Sequence, residues 1–498
     1  MKDKLLILTI FVFGLGTRLF FFNQSVYFGI DEARDAYVSQ AIYQKGDLKL
    51  VGPTTNGAAG LNHGVLHWYV TGLLYLIGHG SPFFVSLVFR IFNALGIFLI
   101  YGLAKKLFNS QVGTISALLY AFSFEQSQYA LYMGNPSLAV ISALLIMCGF
   151  AVLLKDKHPF WALPLMALGL GSGIQFELSF VGMAGLATGL LFLARKRLIT
   201  VSRISWVVTA LTLFLMLGSF LAAEVKYNFR QTKAGLEFLS APRPSQSDPG
   251  YVVYTKRFIT MASDNFVFPV LFAVALIATC IKFRRAPAYL GILLWSFSGV
   301  FTLGLVAYQA YYINVGIGPA LLVIMALFLH RKRMLALFLL TIMIIGNVQH
   351  ILAANPKGLI MDIKTQTGML LSDELEVIRR MYATASGRPF TVRATSMPYR
   401  VQTVWAYIFT RYGKYLPYWE TGNVLDFPGQ LPPPVSGSTC LRFLLREPTN
   451  GIPVPLVTAD ENEENFFSDI IDTWQVGDFV VQHRQAKGHD CRNSFITN

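Results

Sequence analysis

Three acidic residues lie close together in the segment FGIDEARDAYVSQAIYQKGD, where Asp31, Glu32 and Asp35 begin a stretch of helical spacing that Gly46 should end. Carboxylates grouped in this way can move protons or hold a divalent cation. They also have a structural use, because Asp31 can cap the helix while the other two acids favour its positive amino-terminal end. The local pattern leaves both interpretations open, so the position of the segment in the chain has to decide between them.

The composition of the chain is that of a membrane protein. Hydrophobic residues make up 54% of its 498 positions, charged residues only 14%, and the mean hydropathy is +0.50. This is too little charge to cover a soluble surface of such a size. Runs of about 20 apolar residues predict eleven transmembrane helices. They lie at about 5–22, 81–104, 111–130, 136–154, 160–176, 177–194, 204–223, 266–281, 287–308, 310–329 and 334–353.

The net charge of +14 indicates how these spans are oriented. Outside the carboxy-terminal tail, most basic residues fall in alternate loops, which the positive-inside rule assigns to the cytoplasm. They are Lys2 and Lys4, Lys105 and Lys106, Lys155 and Lys157, Arg195 to Arg197 with Arg203, Lys282 with Arg284 and Arg285, and Arg331 to Arg333. The pattern predicts a multi-pass protein of the cell membrane with its amino terminus inside and its carboxy terminus outside. The basic excess is therefore a topology signal, and the expected partner is the lipid bilayer rather than nucleic acid.

Three segments are too polar to span the bilayer, and this topology places all of them outside. They are the loops 23–80 and 224–265 and the tail 356–498. The tail carries 14 basic and 15 acidic residues and alternates strand-like with helical runs, which predicts a small extracytoplasmic α/β domain. The predicted division is thus a helical membrane domain over 1–355 and this α/β domain over 356–498. Cys440 and Cys491 both lie in the tail, in an oxidising compartment, and are predicted to form a disulfide.

Signatures of soluble enzymes are absent from the sequence, which contains no P-loop, no HExxH motif, no pair of CxxC motifs and no D-x-D triplet. The glycine-rich run GLGSGI at 169–174 lies inside a predicted span, where small residues favour close helix packing over phosphate binding. The acidic segment remains the most informative feature. It begins eight residues after the first span and precedes an apolar stretch, 65–78, that is too short to cross the bilayer.

In this arrangement the chain resembles the GT-C glycosyltransferases, in particular the family of protein O-mannosyltransferases and the related lipid A aminoarabinose transferases. The motifs that carry the resemblance stand here as Asp31-Glu32-Ala33-Arg34, Asn62-His63-Gly64-Val65-Leu66-His67-Trp68-Tyr69, Arg90, Lys105-Lys106-Leu107-Phe108-Asn109 and Tyr311-Tyr312 with Pro319. Two features depart from the family pattern. The prolines expected after His63 are absent, and His63 itself replaces the usual basic residue.

The resemblance implies an α-helical, polytopic membrane fold of the GT-C type and an inverting transfer of a sugar from a polyprenyl-phosphate donor to an extracytoplasmic hydroxyl. The acceptor stays open among protein, lipid and glycan. Asp31, with Glu32 beside it, would supply the general base. Contacts to the leaving phosphate are expected from cationic and polar side chains, with one acid lining the same cavity. These candidates are Arg90, His63, Lys256, Arg257, Tyr311, Tyr312 and, as the acid, Glu177.

No cofactor is required by this chemistry, although the pair of acids at 31 and 32 could hold a divalent metal. A transporter or flippase of a lipid-linked sugar is the main alternative, and a non-catalytic assembly factor is a third. Transporters usually carry polar groups on broken helices near the middle of the membrane, whereas these acids lie in an outer loop. Individual residues keep structural alternatives: Arg90 could extend to the membrane surface, and Lys256 and Arg257 could contact lipid headgroups.

Overall fold

The computed structural model describes residues 2–55, 60–240, 286–299, 315–331, 333–358, 367–420, 435–436, 439–448 and 452–488, with residues 274, 277 and 278. Two compact units divide the chain. The helical unit comprises Met1–Phe20, Leu48–Val70 and Leu87–Ala353, and the sheet-containing unit comprises Phe21–Asp47, Thr71–Ser86 and Ala354–Asn498. Parts of the loop 23–80, within residues 21–47 and 71–86, therefore group with the tail. The division into domains at residue 355 stays a prediction.

Helices dominate the described part of the chain before the sheet. They are α1 (Lys2–Leu19), α2 (Ile30–Lys45), α3 (Leu66–Ile77), α4 (Pro82–Leu107), α5 (Ser110–Ala121), α6 (Phe124–Leu131), α7 (Pro136–Lys155), α8 (Ala162–Phe176), α9 (Met183–Leu193), α10 (Arg195–Leu198), α11 (Arg203–Lys226), α12 (Arg230–Ser240), α13 (Pro287–Ser296), α14 (Gly318–Leu329) and α15 (Arg333–Ala354).

Four helices in the described residues are long and apolar enough to cross a membrane: α4, α7, α11 and the stretch Ala336–Lys357, which overlaps α15. The predicted total of eleven spans stays a prediction. One predicted span, 111–130, is interrupted in the structure because α5 ends at Ala121 and α6 begins at Phe124. Ser123 caps the new helix, its hydroxyl oxygen accepting a hydrogen bond from the Gln126 amide at 3.3 Å.

Close packing of α7 against α8 forms a large part of the core of the helical unit. A Cβ atom on Gly169 would lie only 2.4 Å from the Ser142 carbonyl oxygen, and one on Gly149 would lie 2.4 Å from that of Ala162. Larger residues would force these helices apart. The small residues of GLGSGI thus allow the two backbones to approach, in agreement with the packing role predicted for them.

The sheet-containing unit has a six-stranded mixed sheet with the order β3-β2-β1-β4-β6-β5. Strands β3, β2, β1 and β4 run parallel to one another, whereas β6 pairs antiparallel with both β4 and β5. Its elements are α16 (Leu371–Ala385), β1 (Thr391–Thr395), α17 (Thr403–Tyr412), β2 (Tyr418–Trp419), β3 (Val435–Ser436), β4 (Leu441–Arg446), α18 (Val454–Phe467), β5 (Ser468–Val476) and β6 (Phe479–Ala486). The small α/β arrangement predicted for the tail is confirmed.

Two arginines of the sheet are buried because acids of α18 neutralise them. Arg393 in β1 lies 3.0 Å from the Asp460 carboxylate, and Arg442 in β4 lies 2.6 Å from that of Glu464. All four side chains are almost fully buried, and each charge has a partner of opposite sign, as buried charges require. Nearby, Cys440 is disulfide-bonded. Cys491 lies outside the described residues, so the predicted pairing with it stays a prediction.

Candidate functional site

The acidic segment begins helix α2, and its first turn is built around Gly29 rather than Asp31. Gly29 has extended backbone angles and is the cap residue, and its amide donates to the Glu32 carboxylate at 3.1 Å. The structural interpretation in which Asp31 caps the helix is therefore wrong, because Asp31 already lies inside the first turn. Gly46, with φ of 68°, ends the helix in the left-handed conformation as predicted.

The three acids of this turn have different surroundings. The Asp31 carboxylate is 2.5 Å from the Arg34 guanidinium and keeps 41% of its side chain exposed. Asp35 is bound by the same guanidinium at 2.8 Å, but only 6% of its side chain is exposed. Arg34 compensates two negative charges at once, and Asp31 is the more exposed of these two carboxylates.

Glu32 is only 4% exposed. Burial, reinforced by the negative charges of Asp31 and Asp35, raises its pKa to about 8. One carboxylate oxygen accepts a hydrogen bond from the Gly29 amide, and the other has no hydrogen-bond partner within the described residues. Glu32 therefore carries a proton at neutral pH, and it is poorly suited to accept another one.

Two further buried acids of the sheet-containing unit were not among the predicted site residues. Glu374 of α16 is fully buried, and burial together with the negative charges of Glu447, Asp373 and Glu32 raises its pKa well above the ordinary value. Burial raises the pKa of Glu447 to about 7, although the Met397 amide and the Trp405 indole donate to it. The sequence contained one signal, because Glu374 falls on the apolar face that Leu371, Ile378 and Met381 share at helical spacing.

Arg90, a predicted phosphate contact, belongs to a buried polar cluster of the helical unit. It is 0% exposed and donates to the carbonyl oxygen of Arg18 at 2.9 Å. The Arg90 side chain is thus enclosed by the helical unit, and its extension to the membrane surface stays an untested alternative. Arg18 was not among the predicted site residues. It is also fully buried and donates to the Asn93 amide oxygen at 2.7 Å and to the Ala121 carbonyl oxygen at 2.9 Å.

His63 and Glu177, two predicted site residues, lie near one another in the helical unit. The Nδ1 atom of His63 accepts a hydrogen bond from the Leu178 amide at 3.1 Å, and it is 3.9 Å from the Glu177 carboxylate. These two interactions exclude each other, because an ion pair through Nδ1 would require a proton on that atom. The shorter contact, to a backbone amide that can only donate, fixes Nδ1 as the acceptor and leaves the proton on Nε2.

The remaining predicted site residues, Lys256, Arg257, Tyr311 and Tyr312, lie outside the described residues. The structure brings Asp31 and Glu32 together in one turn, and His63 and Glu177 in another group. In the part of the chain that the structure describes, no group of three or more His, Cys, Asp or Glu side chains could hold a metal ion.

Comparison with solved structures gives a match over nearly the whole chain. The crystal structure of ArnT from Cupriavidus metallidurans bound to undecaprenyl phosphate covers 96% of this chain, which in turn covers 97% of ArnT, with a TM-score of 0.63 at 12% identity. The chain has the GT-C fold. The fold class predicted from the sequence is thereby confirmed.

Two other comparisons bear on this GT-C chain. Residues 62–221 match the family model described as dolichyl-phosphate-mannose-protein mannosyltransferase. The oligosaccharyltransferase AglB from Archaeoglobus fulgidus, in complex with an inhibitory peptide and a dolichol-phosphate, shares the fold with a TM-score of 0.51 at 12% identity, over 79% of this chain and 62% of AglB. A sequence search of curated proteins found no match. The fold is thus that of ArnT and AglB, and residues 62–221 are similar to the protein mannosyltransferase family model.

Proposed function

We propose that this GT-C protein is a membrane glycosyltransferase that moves a sugar from a polyprenyl-phosphate donor to an acceptor hydroxyl on the outer face of the cell membrane. Asp31 is the general base of an inverting displacement. It removes the proton of the acceptor hydroxyl as the oxygen attacks the anomeric carbon, and the polyprenyl phosphate leaves with the electron pair of the broken bond.

The observation that carries this proposal is the difference in exposure among the three acids of α2. Asp31 keeps 41% of its side chain exposed, whereas Glu32 and Asp35 are each only 4% exposed as residues. A general base has to reach the proton that it removes and has to be ionised when it does so. The Arg34 guanidinium, 2.5 Å away, stabilises the negative charge that this role requires.

The donor class is inferred from the relatives. The ArnT structure contains undecaprenyl phosphate and the AglB structure a dolichol-phosphate, two lipids that carry a phosphate on a polyprenyl chain. A donor of this kind needs a site at the membrane and no nucleotide pocket, which agrees with the absence of a P-loop from the sequence. Its leaving phosphate would be stabilised by hydrogen-bond donors and positive charge.

Two described residues support the assignment of phosphate contacts. His63 has its proton on Nε2, because Nδ1 accepts from the Leu178 amide, and this N–H can donate to a phosphate oxygen. Arg90 places a guanidinium inside a helical unit in which buried charges are costly and usually functional. Glu177 lies beside His63. Lys256, Arg257, Tyr311 and Tyr312 complete the proposed set on the strength of the sequence resemblance.

The test compares Asp31→Asn with a matched control, Glu376→Gln. Both substitutions neutralise a carboxylate that pairs with an arginine three residues later on a helix, but Glu376 belongs to α16 and pairs with Arg379. The assay follows transfer of radiolabelled pentoses and hexoses from undecaprenyl phosphate to cell-envelope proteins, lipids and glycans. Native mass spectrometry follows retention of undecaprenyl phosphate.

We expect Asp31→Asn to keep the lipid and to lose transfer by about 10²- to 10⁴-fold, the usual contribution of a general base. Glu376→Gln should transfer at the wild-type rate. Wild-type turnover by Asp31→Asn would remove this carboxylate from the mechanism. A wild-type protein that moves the labelled lipid across a vesicle membrane without forming covalent product would establish the transporter alternative instead.

A further inference from the structure

Tyr407, a residue of helix α17, contacts both outer-loop segments of the sheet-containing unit. Its hydroxyl group donates to the Gly80 carbonyl oxygen at 2.9 Å and accepts from the side-chain amide of Gln40 at 3.2 Å. Tyr407 is only 3% exposed, so water has little access to these two hydrogen bonds. One phenol thus joins α2 to the turn that follows α3.

The Tyr407 ring holds the beginning of α2 as well. Its centroid is 5.1 Å from that of Phe28, with the rings tilted by 46°, and 5.1 Å from that of Tyr37, with the rings nearly perpendicular. Phe28 directly precedes the cap residue Gly29, and Tyr37 lies in the second turn of the helix. A single aromatic side chain therefore packs on both sides of the turn that contains Asp31.

Backbone pairing between the loop before α2 and the segment before α16 fixes the same turn. The Phe28 amide donates to the Met369 carbonyl oxygen at 3.0 Å, and the Leu371 amide donates to that of Val26 at 2.9 Å. Tyr27 and Leu370 form an antiparallel bridge between them. The start of α2 is thus held from the tail by main-chain hydrogen bonds, while its middle is held by Tyr407.

We propose that Tyr407 is a positioning residue for the transfer reaction: it sets the orientation of α2, and through it the orientation of the Asp31 carboxylate, without contacting substrate. This inference rests on the role proposed for Asp31. A general base has to lie within hydrogen-bond distance of the proton that it removes, and a displacement of about 1 Å can reduce the rate about 100-fold. The contacts of Tyr407 are those that would prevent such a displacement.

The test is the substitution Tyr407→Phe, which keeps the ring and removes only the two hydrogen bonds of the hydroxyl group. We expect kcat for transfer from labelled undecaprenyl-phosphate sugars to fall by between about 10-fold and 100-fold. The KM for the donor should stay within about twofold of the wild-type value, because the substitution leaves the contacts of the donor unchanged. A rise in KM with an unchanged kcat would instead indicate weaker binding of the donor.

Tyr382→Phe is the matched control. Tyr382 is a similarly buried phenol of the same unit, and its hydroxyl group donates to the Tyr415 carbonyl oxygen instead of contacting α2. A purely structural role for Tyr407 predicts that both variants lose thermal stability and neither loses kcat per folded molecule. The positioning role predicts that only Tyr407→Phe loses kcat.

A double-mutant cycle with Gln40→Ala gives a second measurement. Because Gln40 and Tyr407 share one hydrogen bond, the positioning role predicts that the double variant has about the same kcat as Tyr407→Phe alone, whereas independent residues would multiply their effects. Equal kcat values for Tyr407→Phe and Tyr382→Phe would overturn this inference while leaving the proposed function intact. Full transfer by Asp31→Asn would overturn the proposed function, whatever Tyr407 does.

Discussion

The acidic turn of α2 and the arginine cluster of α1 and α4 treat charge in opposite ways. Asp31 is partly exposed and is bound to Arg34, which it shares with Asp35. Arg18 is fully buried, and the hydrogen bonds of its guanidinium go to carbonyl oxygens and to the Asn93 amide. The first arrangement leaves a charged group accessible to a substrate, and the second uses a charged group to satisfy main-chain acceptors inside the protein.

This difference indicates which charged residues are candidates for chemistry. At the end of α5, where helix carbonyl oxygens lack the usual amide partner four residues later, the Arg18 guanidinium donates to the carbonyl oxygens of Tyr120 and Ala121. The charged guanidinium thus serves to satisfy buried acceptors within the helical unit. Asp31 has a partner of opposite charge and still has exposed surface. The comparison thus gives Arg18 a structural use and leaves Asp31 as a candidate for chemistry.

The largest expected effect tests the structural half of this comparison. Arg18→Met keeps an unbranched apolar side chain and removes the donors to the Asn93 amide oxygen and to two carbonyl oxygens. Because each hydrogen bond from a charged donor contributes about 1.5–3 kcal/mol, we expect the free energy of unfolding to fall by roughly 3–5 kcal/mol. Thermal denaturation in detergent measures it. Arg203→Met, which removes an exposed arginine, is the control, and an equal loss of stability in both variants would break the comparison.

The second effect concerns Glu32, the buried acid of the exposed turn. Its pKa in the folded protein, about 8, lies above the ordinary value of 4.5, so between these values the folded state binds more protons than the unfolded state. Stability should therefore fall as the pH rises through this window, at about 1.4 kcal/mol for each pH unit. Glu32→Gln should remove the contribution of this carboxyl, while those of Glu374 and Glu447 remain. We expect the difference between the melting temperatures at pH 6 and pH 8 to be smaller in the variant than in the wild type, and equal differences would contradict the burial of this carboxyl.

A smaller effect is expected at Arg34, which compensates the accessible charge. Arg34→Gln leaves Asp31 and Asp35 close together without their shared cation. Because the guanidinium holds the Asp31 carboxylate at 2.5 Å, and a displacement of about 1 Å can reduce the rate about 100-fold, we expect kcat for transfer to fall by about tenfold. Steady-state kinetics measure this. Arg379→Gln, which removes the partner of Glu376, should leave kcat unchanged, and a wild-type kcat for Arg34→Gln would separate Arg34 from Asp31.

The smallest effect is expected at His63, whose Nδ1 atom accepts a hydrogen bond from the Leu178 amide. Asparagine can accept the Leu178 amide as Nδ1 does, so His63→Asn should leave the melting temperature unchanged. It removes the Nε2 proton. Because one hydrogen bond contributes about 0.5–1.5 kcal/mol, the KM for the donor should rise by about threefold to tenfold. A wild-type KM would leave His63 with only its structural contact.

Several features of the fold were predictable because they depend on residues near one another in the chain. Gly46 ends α2 through its own left-handed conformation. Alternating patterns in the tail predicted a small α/β arrangement, which the six-stranded sheet confirms. The motif around Asp31 indicated the GT-C class, and the structural comparison with ArnT agrees. Composition and the distribution of apolar runs were sufficient for these conclusions, since each is a local or an averaged property.

Other features could not be predicted from local patterns. The apolar run from 111 to 130 does not indicate that α5 ends at Ala121. The arginine whose guanidinium donates to the Ala121 carbonyl oxygen, Arg18, is 103 residues away in sequence. Asp31 and Glu32 are neighbours with similar side chains. Which of them is exposed depends on the direction in which α2 packs, and periodicity alone does not reveal that direction.

The sequence by itself determined that this is a helical membrane protein with an acidic turn after its first apolar helix and an α/β tail. Only the tertiary structure decided that Asp31 is the accessible acid, that Glu32 is buried against the Gly29 amide, and that Tyr407, 367 residues from Gln40, holds the helix that carries them. The physical reason is that hydrophobic spacing and charge are written along the chain, whereas burial and hydrogen-bond partners arise only when distant segments pack together.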